Sequence, residues 1–395
     1  MKILHIEDNF APTLGYQLNF FSKYNSLHKH EVYIITSDSL KPWDSEDFLK
    51  NYNLKKEDRI FSQTYGVHIK RFKSMLRYSG REFLLTNLKR QIHKIEPDVV
   101  LVHGLETLTS LRVINILEKV NCPVLFDSHM IEAASKNKNS QKFYAFFSRF
   151  ATPKLINNEN TIIAVSQSTK EYIIDHCKIP ENLIKIIELG TDDEIFYKDE
   201  NLREKTRKEL NVKPSDFLII YTGKIARDKK VDLLLKAFDK INKENKKVKL
   251  LVVGSTNGGY VQELLKSLKN NKDFIHVDTQ PVKELNKFYN AADIAVWPGG
   301  SSLSFYDAQI TGLPVILENI DVNVERLKYN NGILFEKDNL EDLINKIEWS
   351  FQNDLSLMSL NAMKTVKNSY TYNVLTEKLE NIFLTEIDKK NRQKK

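Results

Sequence analysis

FLIIYTGKIARDKKVDLLLKAF, residues Phe217 to Phe238, carries three signals in succession. Phe217–Thr222 is a continuous apolar run closed by Gly223, the mark of a strand buried on both faces. Lys224, Arg227, Lys229 and Lys230 then crowd into one turn. Leu234, Phe238 and Ile241 follow at helical spacing. A buried strand feeding an amphipathic helix is half of a crossover connection, and such connections build parallel sheets covered by helices.

The same alternation runs outward in both directions. Short apolar runs lie at Lys2–Ile6, Val32–Thr36, Val99–Val102, Pro123–Phe126 and Thr161–Val165. A second series follows at Phe217–Thr222, Lys249–Val253, Asp293–Trp297, Pro314–Leu317 and Gly332–Phe335. Helical patterns separate them, as in Leu18, Phe21 and Tyr24. Two such series in 395 residues predict an α/β protein of two doubly wound, Rossmann-like parallel-sheet domains. The charged stretch Asp192–Lys208 reads as their linker. The expected division is 1–195, 196–370, and a terminal segment 371–395. In that segment Leu375, Leu379, Ile382, Phe383 and Ile387 stripe a final helix over about Tyr372–Ile387, ahead of a basic tip.

Composition excludes several classes. Hydrophobic residues at 41% and charged residues at 28% are ordinary for a globular chain. The net charge of +7 is spread out, with no basic block of the kind that binds nucleic acid. It does allow attraction to phosphates or anionic lipid. Cys122 and Cys177 are far apart, and no metal or redox spacing occurs. No apolar run approaches the roughly 18 residues of a membrane span. MKILHIEDNF reads as a strand rather than a secretory leader, so a cytoplasmic location is expected.

Four segments could carry chemistry. NFAPTLGYQ, Asn9–Gln17, is a first strand-to-helix turn with Gly15 and Tyr16; such turns hold ligands in doubly wound sheets. It lacks the G-x-G-x-x-G pattern, so dinucleotide binding is not supported, and a plain glycine turn is the alternative. The cations Lys224 and Lys229 at a strand end suit a diphosphate, the alternative being a solvated charge run. WPGGSSLSFYDAQITGLPVI, Trp297–Ile316, follows a strand with Gly299, Gly300, Ser301, Ser302, Leu303 and Ser304. Small residues let backbone approach a ligand, and Asp307 on the following helix could accept from ribose hydroxyls or simply cap the helix. His129 ends the strand PVLFDSH, two residues after Asp127; it is a crevice histidine or a structural one.

Together these segments resemble the family 4 glycosyltransferases, a retaining family of GT-B fold. The resemblance spans nearly the whole chain and is loose between motifs. KILHIEDNFAPTLGYQ and HEVYIITSD are similar to that family's first strand, glycine loop and second strand, with Tyr16 in place of the second loop glycine. AVSQSTKEYI resembles its late N-domain strand and helix, and IIELGTDDEIF its interdomain junction, with Glu188 and Leu189 replacing a Pro and an Asn. TGKIARDKKVDLLLKAF matches its segment running from glycine-arginine to lysine-glycine, with Lys224 in the arginine place and Lys229 in the lysine place. ELNKFYNAADIAVWP matches the run leading to the donor loop.

By that resemblance, Gly15, Lys224, Lys229, Gly300, Ser301, Ser302, Leu303 and Ser304 bind the donor diphosphate. Asp307 binds ribose, Val282 of Pro281–Lys283 lies along the nucleobase, and Tyr16 walls the acceptor side. His129 is the cleft histidine near the donor sugar, with a positioning or electrostatic role. The family signature is a Glu, seven residues, then a second Glu. Asp307 takes the second place, and Gly299 stands where the first Glu, a donor-sugar contact, is expected.

The implied activity is retaining transfer of a sugar from a nucleotide-diphosphate sugar to a glycan or lipid-linked acceptor, in cell-surface polysaccharide or glycoconjugate synthesis. It needs no metal and no other cofactor, and the final helix is expected to cross back to the first domain. A non-catalytic GT-B subunit, which Gly299 favours, and a nucleotide-sugar epimerase are the alternatives. Lys136–Lys154 interleaves cations with Phe143, Tyr144, Phe146, Phe147 and Phe150, and His68–Arg81 is also basic. These read as a surface for anionic membrane, where a lipid-linked acceptor would lie, or as a core helix with a solvated basic side.

Overall fold

The computed structural model describes residues 1–40, 52–78, 81–131, 138–243, 247–255, 259–300, 302, 304–327 and 329–393. It divides into two compact units: Met1–Leu189 with Tyr372–Lys395, and Gly190–Thr371. Ser301 and Leu303 lie outside the described residues, as do parts of Lys136–Lys154 and of His68–Arg81.

The first unit holds β1 (Lys2–Ile6), β2 (Glu31–Ser37), β3 (His68–Phe72), β4 (Ser74–Tyr78), β5 (Arg81–Leu84), β6 (Val99–Val102), β7 (Val124–Ser128), β8 (Ile162–Ala164) and β9 (Ile184–Ile186). Seven of these form a parallel sheet in the order β3-β2-β1-β6-β7-β8-β9, while β4 and β5 pair apart as a hairpin. Its inner strand β6 is apolar along its length because helices cover both faces, while β1 is buried from Ile3 to Ile6 and carries one polar side chain there, His5. Leu4, Ile6, Val100, Val102, Phe126 and Ile162 pack with Phe147 on one face, and Phe10, Leu18, Val32, Ile34 and Phe61 on the other.

The last helix, Tyr372–Gln393, belongs to this unit. Leu375, Leu379 and Phe383 are fully buried, and Ile382 and Ile387 are half-buried. Tyr372 stacks on Phe20 with ring centroids 4.3 Å apart. Glu380 accepts from Asn25 Nδ2 at 2.7 Å and lies 2.9 Å from His28 Nδ1.

The second unit holds β10 (Phe217–Thr222), β11 (Val248–Val253), β12 (Phe274–Val277), β13 (Ile294–Trp297), β14 (Val315–Glu318) and β15 (Ile333–Phe335). They form one parallel sheet in the order β12-β11-β10-β13-β14-β15. Asp192–Lys208 is not a linker. Thr191 bridges Thr371, and Glu200–Glu209 is a helix of this unit. Arg203 and Arg207 reach Asp293 at 2.6 and 3.1 Å and also bond main-chain carbonyls, so the charge that suggested a solvated segment holds it to the sheet. Among the described residues no helix is long and apolar enough to cross a membrane.

Candidate functional site

Ligands of open parallel sheets sit beyond the carboxyl ends of the strands, where strand order reverses. In the second unit that point lies between β10 and β13. The loop after β10 carries Lys224 and Lys229; the loop after β13 carries Gly299, Gly300, Ser302 and Ser304.

Hydrogen bonds beneath the two loops fix their starting points. The Trp297 indole N–H donates to the Thr222 carbonyl at 2.8 Å, Thr222 Oγ1 meets the Tyr289 hydroxyl at 2.8 Å, and the Tyr221 hydroxyl donates to the Lys224 carbonyl at 2.8 Å. Gly254, ending β11, has no room for a side chain: a Cβ there would lie 1.9 Å from the Gly223 carbonyl oxygen.

The sequence reading of Lys229 beside the small-residue loop acquires a geometry. Lys229 Nζ lies 3.3 Å from where a Cβ on Gly300 would stand, and Gly300 has φ of +69°. An ammonium thus lies over a glycine backbone, an arrangement that suits a phosphate. Lys224 is exposed on the same loop. Gly299 is sterically required as well: a Cβ would fall 2.8 Å from Lys230 Cγ and 2.9 Å from the Lys229 carbonyl carbon. A Glu at 299 therefore cannot be seated without moving the neighbouring turn.

Asp307 sits on the short helix Ser304–Ile310 and accepts from Thr191 Oγ1 at 2.6 Å. Burial pushes its carboxyl up to about 7; the Thr191 hydrogen bond opposes the rise and Asp192 adds to it. Val282 lies in a single turn, Val282–Glu284, soon after β12, half-buried against the core.

Glu318 and Arg326 escaped sequence reasoning here, and Lys230 was read only as a member of the basic cluster. Lys230 pairs with Glu318 and, at 2.5 Å, with Asp338. Glu318, at the end of β14, is 2% exposed. Arg326 donates to the Ser302 carbonyl at 3.3 Å and lies over the Phe305 ring. Only a carboxylate closing an otherwise apolar strand, VILE, could have drawn attention to Glu318.

In the first unit the order reverses between β1 and β6. Gly15 has φ of +67°, and Tyr16, half-exposed, precedes the helix Gln17–Leu27. The amide of Gln17 is buried with neither atom hydrogen-bonded. Such an orphan beside a glycine turn suits a bound polar group. Arg71 braces this loop by donating to the Phe10 carbonyl at 2.8 Å and the Ser37 carbonyl at 2.7 Å.

His129 is 44% exposed, with Nε2 3.9 Å from Asp127 Oδ1. The stronger partner of Asp127 is His103, whose Nδ1 lies 2.5 Å from Oδ2, while the Gly104 N–H donates to Oδ1 at 2.8 Å. Burial pushes the Asp127 carboxyl up, but His103, His129 and that amide outweigh it and hold it below the usual range. His103 Nε2 in turn meets His5 Nδ1 at 3.1 Å, and His5 Nε2 meets Asn25 Oδ1 at 3.1 Å. His103 follows β6 directly in the run VVLVHG, and that strand-end position was the available sequence signal.

Two family models match the chain: Glycosyltransferase Family 4 over residues 24–195 and Glycosyl transferases group 1 over residues 202–369. The capsular polysaccharide biosynthesis glycosyltransferase CapM of Staphylococcus aureus is 32% identical over 239 residues, 57% of this chain and 61% of CapM. The chain therefore matches about three fifths of that relative's length. The alpha-monoglucosyldiacylglycerol synthase of Acholeplasma laidlawii is 26% identical over 387 residues, 92% of this chain and 91% of the synthase. Among solved structures, Anabaena Alr3699/HepE in complex with UDP aligns with a TM-score of 0.73 at 14% identity, covering 98% of this chain and all of that one.

Proposed function

The chain belongs to the family 4 glycosyltransferases, and we propose that it transfers a sugar, with retention of configuration, from a nucleotide-diphosphate sugar to a glycan or lipid-linked acceptor. One observation carries this: at the switch point of the second unit, Lys229 Nζ lies over the backbone of Gly300, with Lys224 on the same loop. That is a cradle for a diphosphate leaving group.

Lys224 and Lys229 stabilise the negative charge that develops as the bond from the anomeric carbon to the diphosphate breaks. Two ammonium groups can take the part of a metal ion here. Asp307 accepts from the ribose, and Val282 lies along the base. On the other unit, Tyr16 and Gln17 serve the acceptor, and His129, exposed beside the Asp127 carboxylate, acts as a positioning or electrostatic residue.

The acceptor class draws on two supports. The relatives are named for capsular polysaccharide and for a glucosylated diacylglycerol. The helix Lys138–Phe150 buries Tyr144 and Phe147 but leaves Phe146 49% and Phe150 53% exposed, their rings 4.9 Å apart, with Arg149 against Phe150. Exposed aromatics beside cations suit the headgroup region of an anionic membrane, so we place the protein at its cytoplasmic face.

A thermal-shift screen of UDP, GDP and ADP sugars identifies the donor. Release of nucleoside diphosphate on adding a lipid-linked or glycan acceptor then distinguishes transfer from epimerisation. No shift with any donor, or consumption of donor independent of acceptor, refutes the assignment.

A further inference from the structure

Lys230 combines three features that are individually costly. It adopts a left-handed backbone, φ +49°, which a lysine takes up only when its surroundings hold it there. Its stem shares with the Asp228–Lys229 backbone the space that a side chain on Gly299 would need, the missing Cβ lying 2.8 Å from Lys230 Cγ, 2.9 Å from the Lys229 carbonyl carbon and 3.0 Å from the Asp228 carbonyl oxygen. Its ammonium pairs with Glu318, a buried carboxylate, and reaches Asp338 at 2.5 Å. Burial works against the Lys230 charge, but the two carboxylates raise its pKa overall.

The placement of this cluster is informative. Across the sheet, the Val282 turn follows β12 on one side, the proposed diphosphate loops follow β10 and β13 in the middle, and Glu318 and Asp338 follow β14 and β15 on the other side. A nucleotide laid with its base toward Val282 directs the group beyond its diphosphate toward Lys230.

We propose that Lys230 and Gly299 are an exchanged pair: Lys230 supplies, from across the loop, the wall that a side chain at 299 would otherwise form, and with Glu318 and Asp338 it lines the donor-sugar side of the site and governs which sugar is accepted. This rests on the nucleotide-sugar reading above. An ammonium flanked by two carboxylates leaves one net negative charge, so the triplet suits the hydroxyls of a neutral hexose.

Two measurements test it. The first is thermal and needs no ligand. Gly299→Ala is expected to lower the melting temperature clearly in the native background and by half as much or less in a Lys230→Gly background, where the stem is gone and the turn can shift. Equal losses in the two backgrounds overturn the exchange.

The second is calorimetric, using UDP, GDP and ADP and their glucose or mannose esters. The variant Lys230→Met/Glu318→Gln keeps the stem and removes the buried charge pair. For whichever base binds, nucleoside diphosphate affinity is expected to stay within about threefold while the sugar ester weakens about tenfold, roughly 1.4 kcal/mol. Parallel loss of both overturns the specificity role. If the native protein binds none of these ligands, the nucleotide-sugar reading falls and takes the sugar role with it, whereas the thermal cycle still decides the exchanged pair.

Discussion

Nδ1 of His103 lies 2.5 Å from Oδ2 of Asp127, and the surrounding hydrogen bonds assign the protons between them. Asn25 gives its Nδ2 to the Glu380 carboxylate, which turns its Oδ1 toward His5. His5 therefore carries its proton on Nε2. Burial, with repulsion from His103, lowers the His5 pKa to about 3, so its Nδ1 is a bare acceptor at neutral pH. His103 must then donate from Nε2 to His5 while donating from Nδ1 to Asp127. With a donor assigned to each ring nitrogen, this network predicts an imidazolium paired to a carboxylate at the carboxyl ends of β6 and β7. Hydrogen bonds thus link Glu380 on the last helix, through Asn25 and His5, to His103 at the strand ends.

The chain predicts acid sensitivity in the first unit. His5 has a folded-state pKa below its ordinary value of 6.5, so the unfolded state takes up a proton first as pH falls. Stability is full above about 6.5 and is lost progressively toward about 3. From pH 7 to pH 5 this one residue should cost about 2 kcal/mol. His28, whose pKa is raised overall by Asn373 and Glu380 against the effect of burial, changes stability in the opposite sense. The measurement is therefore a difference: urea unfolding at pH 5 and 7 for the native chain and for His5→Gln. A pH dependence that survives unchanged in the variant contradicts the assignment.

The diphosphate site is tested by Lys224→Ala and Lys229→Ala. Each removes one charge-assisted contact, which should weaken nucleoside diphosphate binding by roughly 1.5–3 kcal/mol, with little effect on folding. Lys229 lies over Gly300, and its ion pair with Asp228 is a surface one at 3.4 Å. Calorimetry showing native affinity in both variants would sink the site.

Asp307 makes stability and binding move in opposite directions. Its folded pKa, about 7, stands above the ordinary 3.8, so the native state is progressively destabilised as pH rises from about 4 to about 7. Removing the charge with Asp307→Asn should raise the melting temperature at pH 8 and have almost no effect at pH 4. The same substitution should weaken nucleotide binding at pH 8, because the ribose hydroxyls need an acceptor. Native affinity for nucleotide should itself fall as pH drops through 7. A variant that binds normally at pH 8 rejects the ribose role.

Transfer activity should persist in excess chelator, since Lys224 and Lys229 are assigned the charge that a metal would otherwise supply. Loss of turnover in chelator, restored by magnesium or manganese, would require a different site chemistry.

What was legible in the sequence follows burial. The inner strands β1, β6, β10, β11 and β13 are largely apolar and buried, and were read directly. Of the five missed strands, β4 and β5 form the separate hairpin, and β3, β9 and β12 are sheet edges, where one side of the pairing is absent and polar residues intrude, as in HIKRF. His68–Phe72 accordingly read only as a basic stretch. At the site, Lys224, Lys229 and Asp307 stood out because their types and spacing match a local motif. His103, Glu318 and Lys230 act through partners 24 to 108 residues away in sequence, which no local pattern records. Gly299 was legible as a departure but not as a necessity, because the atoms that exclude its side chain come from the turn after β10.

The final helix provides the last prediction. Leu375, Leu379 and Phe383 are fully buried in the first unit, and Tyr372 stacks on Phe20. Truncating one of them to Ala should cost about 2–5 kcal/mol, enough to lower the melting temperature by many degrees. Glu380 acts differently. It is buried, it accepts from Asn25 and His28, and it lies 3.5 Å from His30. Glu380→Gln keeps its shape but removes the carboxylate that orients Asn25 and supports the charge on His28. The variant should stay folded at pH 7 while Asn25 becomes able to turn its amide toward His5. His5 would then accept at Nε2 and donate from Nδ1, and His103 would give up its Nε2 proton and with it its charge. Side-chain nitrogen chemical shifts of His5 and His103 report this directly. In the native chain both His103 nitrogens should show the protonated shift at pH 7; in Glu380→Gln, Nε2 should move toward the unprotonated range. An unaltered His103 spectrum would show that the last helix contributes packing and no more.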